Sequence, residues 1–270
     1  MGERGRTILV TGGTGTLGSA FTELAVEAGH RVRVMSRGEA PAQLETGREW
    51  ARADLISADG LTEAVRGVAV VLHAATDPTG DPEAVDVEGT RRLLDATRRA
   101  GTAHLVYPSI VGIDRMPYLY YDVKEEVEDL VSASPVPHTI VRITQFHSFV
   151  DEILSMLGAI PLILPVPTRA RVQSIAAEEA AAHLLEKAEA DPAGRAPDIA
   201  GPEVLTLAEM ARSWKEARDE RRWIVRLPIP GETARGFREG RATAPDRAVG
   251  SETWGEWLKR TYGQRERAET

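Results

Sequence analysis

The sequence predicts an α/β fold, a doubly wound parallel sheet with helices on both faces. Three observations predict it. Short β-branched and apolar runs alternate with helix-length segments through the first half of the chain. One run, Ala69-Val70-Val71-Leu72-His73, is apolar until its end, as in a strand covered on both faces. A glycine-rich turn, Gly12-Gly13-Thr14-Gly15-Thr16-Leu17-Gly18, joins the first run to the first helix.

The turn is the most informative stretch. Thr7-Ile8-Leu9-Val10 reads as the buried strand before it. Leu17, Phe21, Leu24 and Ala28 recur at helical spacing after it, and Gly29 stops the helix. Gly12 permits the tight turn off the strand. Gly15 lets a pyrophosphate approach the backbone, and Gly18 lets the helix pack close to the sheet. The free N–H groups at the helix start face the phosphates, and the helix dipole favours their charge. The context is that of a Rossmann-like dinucleotide site, although the spacing is Gly-x-x-Gly-x-x-Gly. The expected cofactor contacts here are Gly12, Thr14, Gly15, Thr16, Leu17 and Gly18.

The next strands refine the ligand. Arg31–Met35 alternates and ends in Ser36-Arg37, where an NAD site carries an acidic residue. An arginine fork there suits a 2′-phosphate, so the expected cofactor is NADPH (NADP+). A third strand, Glu49–Ala53, ends at Asp54-Leu55, which either holds the adenine or caps the following short helix. Ala74-Ala75-Thr76 follows the fourth strand, and small side chains at a carboxyl end leave room for a cofactor. His73 reads as a packed residue.

Asp81 to Ala100 reads as one long helix, with Val85, Gly89, Leu93, Leu94 and Thr97 inward. A fifth strand covers Ala103–Tyr107, a helix runs to about Ser132, and a sixth strand covers Thr139–Arg142. Beyond residue 145 the alternation stops. A helix over Phe146–Leu157, a proline-punctuated extended piece at 161–167 and a helix over Ile175–Ala190 follow. A short strand lies near Ile199. Thr206 with Glu209 signals a capped helix to about Asp219, and Trp223–Leu227 another strand. The expected division is 1–145 and 146–270, packed as a single compact unit.

Composition narrows the classes. Hydrophobic residues make up 42% of 270, enough for a core. Acidic residues outnumber basic ones, 41 against 33, which argues against a general nucleic-acid surface. With no cysteine, disulfides and thiol catalysis are excluded and a cytoplasmic setting fits. The polar start, Met1–Arg6, precedes no apolar signal segment, and the longest apolar runs fall short of a membrane span. The histidines are scattered, with no His-x-x-x-His pair, so no metal is expected.

Thr11–Gly18, Ser36-Arg37, Tyr107–Gly112, Tyr120-Tyr121-Asp122-Val123-Lys124 and Arg142–His147 together resemble the atypical short-chain dehydrogenase/reductases, specifically their NmrA-like NAD(P)H-binding members. The resemblance spans nearly the whole chain. It implies that the C-terminal part is a small substrate-binding lobe. It also implies that Tyr120 and Lys124 are the catalytic pair. A tyrosine hydroxyl gives a proton to the carbonyl oxygen, while the ammonium stabilises the tyrosinate and contacts the nicotinamide ribose. Ser109 would polarise the carbonyl. Pro117 at the first helical position would keep Tyr120 in the first turn. A capping box of Asp122 and Glu125 would instead start the helix after it. Tyr121 is a competing donor. Ile113, Gln145, Phe146 and His147 are the expected substrate contacts, with Phe146 equally readable as helix core. The expected activity is an NADPH-dependent reduction of a small, largely apolar carbonyl, enone or quinone. The alternative is a non-catalytic NADP(H)-sensing regulator. A nucleotide-sugar epimerase fits less well, because the C-terminal part is short for a sugar-nucleotide lobe. The partner is a small molecule, with no nucleic acid and no membrane, and the chain is expected as a monomer or homodimer.

Overall fold

A computed structural model describes residues 5–263. The residues Met1–Arg4 of the polar start lie outside it. The contacts divide the chain into two units that interleave in sequence. The first comprises residues to Ser109, Leu119–Arg142 and Ala180–Pro197; the second comprises Ile110–Tyr118, Ile143–Glu179 and residues from Asp198. The expected cut at residue 145 therefore becomes several, because 180–197 joins the sheet unit and 110–118 leaves it.

The first unit carries the strands β1 (Thr7–Thr11), β2 (Arg31–Ser36), β3 (Arg48–Arg52), β4 (Val70–His73), β5 (His104–Ile110) and β6 (His138–Ile143), with β9 (Gly194–Arg195) at the edge. They form a parallel seven-stranded sheet in the order β3-β2-β1-β4-β5-β6-β9. That order reverses direction between β1 and β4, the point at which open α/β sheets bind nucleotides. The helices are α1 (Thr16–Glu27), α2 (Leu61–Ala64), α3 (Gly89–Ala100) and α4 (Leu119–Ala133). Branched and aliphatic side chains fill the sheet: Ile8, Leu9, Val71, Leu72, Leu93 and Leu105 are all fully buried.

Three elements differ from the sequence expectation. The short strand expected near Ile199 lies at Gly194–Arg195, and Ile199 makes an isolated bridge to Ile143. β5 runs three residues further, to Ile110, so Ser109 is a strand residue. The helix expected from Asp81 begins as a π-helical segment, Glu83–Glu88, before α3. Such wide turns are rare and cluster at functional positions. This one turns Asp86 inward, where its main chain and side chain both find partners. Thr90 donates its hydroxyl to the Asp86 carbonyl. Its only hydrogen is thereby used, so His73 Nε2–H donates to Thr90 Oγ1 across 2.7 Å. His73 Nδ1 then accepts from the Thr11 hydroxyl at 2.7 Å. Burial, reinforced by the charge of Lys124, lowers the His73 pKa to about 3, consistent with this neutral tautomer.

The second unit begins its helices with α5 (His147–Leu157). Two short strand pairs follow. β7 (Ile163–Val166) runs parallel to β11 (Trp223–Arg226), and β8 (Arg171–Val172) runs antiparallel to β10 (Leu205–Thr206). α6 (Ala177–Glu189) spans the boundary between the units. α7 (Leu207–Ala217) starts with the expected capping box of Thr206 and Glu209. The structure adds two helices with no counterpart in the sequence reading, α8 (Glu232–Glu239) and α9 (Trp254–Tyr262). α9 has its own capping box, Thr253 with Glu256. Its Trp254 and Trp257 rings stack at 5.4 Å, and Trp254 donates its indole N–H to Met210. They join Leu154, Leu164, Val166 and Trp214 in this unit's core. No helix among the described residues is long and apolar enough to cross a membrane.

Two stability measurements follow. Trp254→Ala should lower the unfolding free energy by about 3–5 kcal/mol in a urea titration. A loss under about 1 kcal/mol would show that the tryptophan cluster does not support this unit. His73 remains neutral in the folded chain down to about pH 3, whereas the unfolded chain protonates it near pH 6.5. Its contribution is therefore intact above pH 6.5. It is lost by up to about 1.4 kcal/mol per pH unit as pH falls from there towards 3. Urea midpoints at pH 7 and 5 should fall more in wild type than in His73→Gln.

Candidate functional site

The candidate site lies at the carboxyl ends of the strands in the first unit. After β1 the chain turns at Gly12, whose φ is +65°. A Cβ there would lie 2.7 Å from the Ala74 carbonyl oxygen, so the turn tolerates only glycine. A Cβ on Gly18 would meet Gly12 O at 2.2 Å. α1 can approach the turn this closely only because both are bare. Gly15, the residue before α1, is extended, and a Cβ on it would meet just Gly12 O, at 3.3 Å. Thr14, Gly15 and Thr16 are exposed, and Leu17 and Gly18 are buried. The result is a bare, solvent-facing helix start, the shape a pyrophosphate fits.

After β2, Ser36 Oγ accepts the Gly38 N–H, and Arg37 is exposed, with no hydrogen bond or ion pair among the described residues. The neighbouring strand places Arg52 opposite Ser36, and Arg52 pairs with Glu39. After β3, Asp54 Oδ1 accepts the Ile56 N–H at 2.7 Å and closes a local turn. Leu55 is buried in the core, where it would meet a Cβ on Gly89 at 2.9 Å. Its side chain has a packing task whatever the adenine does.

After β4 the Ala75 N–H donates to Thr11 Oγ1 at 3.1 Å, fixing Ala74-Ala75 against β1. Thr76 donates its hydroxyl to Asp86 Oδ1 at 2.5 Å. Thr76 Oγ1 also lies 2.5 Å from the Tyr120 hydroxyl. Since the single Thr76 hydrogen goes to the carboxylate, Tyr120 is the donor in this second bond. α4 begins at Leu119, which puts Tyr120 in its first turn and Lys124 one turn on. The helix thus starts before Asp122. Tyr120 is half-buried, whereas Tyr121 is 3% exposed.

Lys124 is 5% exposed, its Nζ 3.6 Å from Asp86 Oδ1 and 4.5 Å from the centre of the Tyr107 ring. Burial pulls its pKa down, and the Asp86 charge and hydrogen bond push back. Burial, with the Asp86 charge, drives the Tyr107 hydroxyl well above the usual tyrosine range, so it stays protonated. Four residues beyond Lys124, Glu128 holds Arg142 through two bonds of 2.8 Å. The Tyr107 hydroxyl and Ser109 Oγ are buried without a hydrogen-bond partner among the described residues. Buried polar atoms are rarely left so, and unpaired donors at a strand's carboxyl end suit a polar ligand.

The structure thus links Thr76, Tyr120 and Lys124 through Asp86, a residue absent from the sequence reading. The signal was a single acid between Val85 and Val87, three residues before an inward Gly89. Tyr107 was read as a strand end and as the start of one of the family-like stretches, without a role in the site. Ile113, Gln145, Phe146 and His147 all belong to the second unit. Ile113 is buried, and Phe146 is half-buried at the N-cap of α5. His147 is buried with both ring nitrogens engaged, Nδ1 with Ser174 Oγ at 2.8 Å and Nε2 with the Glu252 carbonyl at 3.0 Å. Of the two polar contacts expected, only the half-buried Gln145 has a side chain free of hydrogen bonds among the described residues. No cluster of three metal-ligating side chains occurs among the described residues.

Comparisons with known proteins fit this geometry. A family model described as NAD(P)H-binding matches residues 12–152, just over half of the chain. The photosystem II assembly factor Ycf39 of Trieres chinensis is 26% identical over 167 residues, 60% of this chain and 51% of its own length. The chain spans about half the length of the first curated relatives it matches. An NADPH-dependent quinone oxidoreductase of Escherichia coli, complexed with NADPH, superposes with a TM-score of 0.80 at 18% identity, covering 94% of this chain and 99% of that one. NmrA, a negative transcriptional regulator in complex with NAD, gives 0.77 at 18% identity, covering 99% and 98%. At such identities the likeness to the solved structures is one of fold. The matched residues include the glycine turn, the strand ends and the Tyr120–Lys124 helix, and the chain belongs to the NAD(P)H-binding family.

Proposed function

We propose that the chain is an NADPH-dependent reductase of a small, largely apolar carbonyl, enone or quinone. The observation that carries this reading is the juxtaposition of Tyr120, a proton donor, with Lys124, a buried cation one helical turn away. The bare helix start of Gly12–Gly18 would hold the pyrophosphate, with Thr14 and Thr16 beside it. Ser36 and Arg37 would hold the 2′-phosphate, Asp54 and Leu55 the adenine, and Ala74-Ala75-Thr76 would border the nicotinamide half. Bound NADPH supplies the hydride. Tyr120 gives its proton to the substrate oxygen and is left as a phenolate. Lys124 stabilises that phenolate, since an ammonium nearby favours the charged form. The unbonded hydroxyl of Ser109 is available to donate to the developing oxyanion. Ile113, Gln145 and Phe146 are proposed for the substrate side. His147 is left to hold the second unit together.

One observation favours the second reading, an NADP(H)-binding regulator. The Tyr120 proton points at Thr76, into the protein.

Two experiments test these readings. Fluorescence titration should give NADPH at least about tenfold tighter binding than NADH. Arg37→Glu should remove or reverse that preference, because it sets a carboxylate against the 2′-phosphate. Equal affinity of the wild type for both cofactors would refute the NADPH assignment. A panel of quinones, enones and aromatic ketones, read by NADPH oxidation, tests catalysis. On an accepted substrate, Tyr120→Phe should turn over about 10²-fold or more slowly, with NADPH binding nearly intact. An equally fast variant would remove Tyr120 from the reaction. Tight NADPH binding with no turnover across the panel would favour the regulator.

A further inference from the structure

One carboxylate joins both members of the proposed pair. Asp86 is 1% exposed, on the π-helical segment before α3. Its Oδ1 takes the Thr76 hydroxyl at 2.5 Å and faces Lys124 Nζ at 3.6 Å. Its Oδ2 accepts the Asp77 N–H at 3.0 Å. Thr76 in turn receives the Tyr120 hydroxyl. The chain of contacts Lys124–Asp86–Thr76–Tyr120 therefore runs through a single oxygen, Oδ1.

The other groups around Lys124 leave its charge to Asp86. Glu128, on the same helix, is held by two bonds from Arg142. Tyr107, on β5, offers its ring face and stays protonated. His73, on β4, is neutral. Tyr120, on α4, is a neutral donor until it reacts. An ammonium this buried keeps its proton only where an anion faces it. Asp86 is the anion not already matched by an arginine.

We propose, on the reading that Tyr120 and Lys124 are the reacting pair, that Asp86 is their positioning residue: it holds Lys124 in its charged form and, across Thr76, fixes the hydroxyl of Tyr120. Thr76 serves both states of the tyrosine. While Tyr120 is protonated, Thr76 accepts from it and donates to Asp86. Once Tyr120 has given its proton away, the same hydroxyl turns and donates to the phenolate, and Asp86 keeps the Asp77 amide and Lys124.

The chain has just four lysines, Lys124, Lys187, Lys215 and Lys259, so the charge of Lys124 can be read directly. The full chain, labelled at the lysine ¹³Cε, is titrated by NMR without cofactor, and Lys124→Met assigns the signal. In wild type the Lys124 signal should remain that of an ammonium at pH 8. In Asp86→Asn its midpoint should fall by about one pH unit or more, with the other three lysines unmoved. A neutral Lys124 in wild type at pH 8 overturns the inference without any variant, so it stays testable even where Asp86→Asn does not fold. An unshifted Lys124 in folded Asp86→Asn also overturns it, even where Tyr120→Phe is inactive. A shifted Lys124 supports it even where Tyr120→Phe is fully active, a result that would remove only Tyr120 from the reaction. For the second arm, Thr76→Val should leave the Lys124 midpoint in place and lower kcat more than KM, by about tenfold. An unchanged kcat overturns the link through Thr76.

Discussion

The end of the sheet that bears the candidate site is built around burying one carboxylate. An ionised Asp86 removed from water is unfavourable by several kcal/mol unless donors replace the water it loses. Thr76, the Asp77 amide and Lys124 supply those donors from two different segments. The carbonyl of the same residue is bound separately, through Thr90 and His73 to Thr11 on β1. A continuous polar chain therefore crosses from α4 to β1 through one residue of a π-helical segment. Networks of this kind are all or none: satisfied, they rigidify a site, and broken at one member, they leave an unpaired charge inside.

Two cations in the first unit are used in opposite ways. Arg37 stands exposed at the end of β2, unpaired among the described residues, on a long arm with a planar fork. Such a group meets a ligand and pays little desolvation in waiting for one. Lys124 is buried, packed on an aromatic face and paired. It is preorganised, and its protonation answers to its neighbours. The glycine turn lies between these extremes, with no side chain at all where an added Cβ would fall within 3 Å of a neighbouring backbone.

The second unit is held by different means. Its sheets are two strands each, too small to make a core alone, and its tryptophans do the packing. Arg218 lies over the Trp214 ring at 4.5 Å and bonds the Tyr262 hydroxyl, which in turn donates to Asp151. His147, which a position after a strand end suggested for a ligand, is a tie between Ser174 and Glu252. The family match ends at residue 152, so most of this unit lies outside it.

The amino-acid order alone determined the sheet fold and the glycine turn, and it set Tyr120 and Lys124 four residues apart; the structure decided that one helix, α4 from Leu119, carries both. Each of these is a local signal: alternation within a strand, a missing Cβ, a spacing of four. The start of α9 was also written locally, in the Thr253–Glu256 box, whereas α8 begins after Gly231 with no side-chain cap. Only the tertiary structure decided that Asp86 faces inward, that Ser109 belongs to a strand, that Leu55 packs under Gly89 and that His147 is satisfied by its neighbours. The physical reason is common to all four. Whether a polar or apolar side chain is buried depends on partners up to 105 residues away in sequence, and no periodicity within one helix or strand encodes those distances.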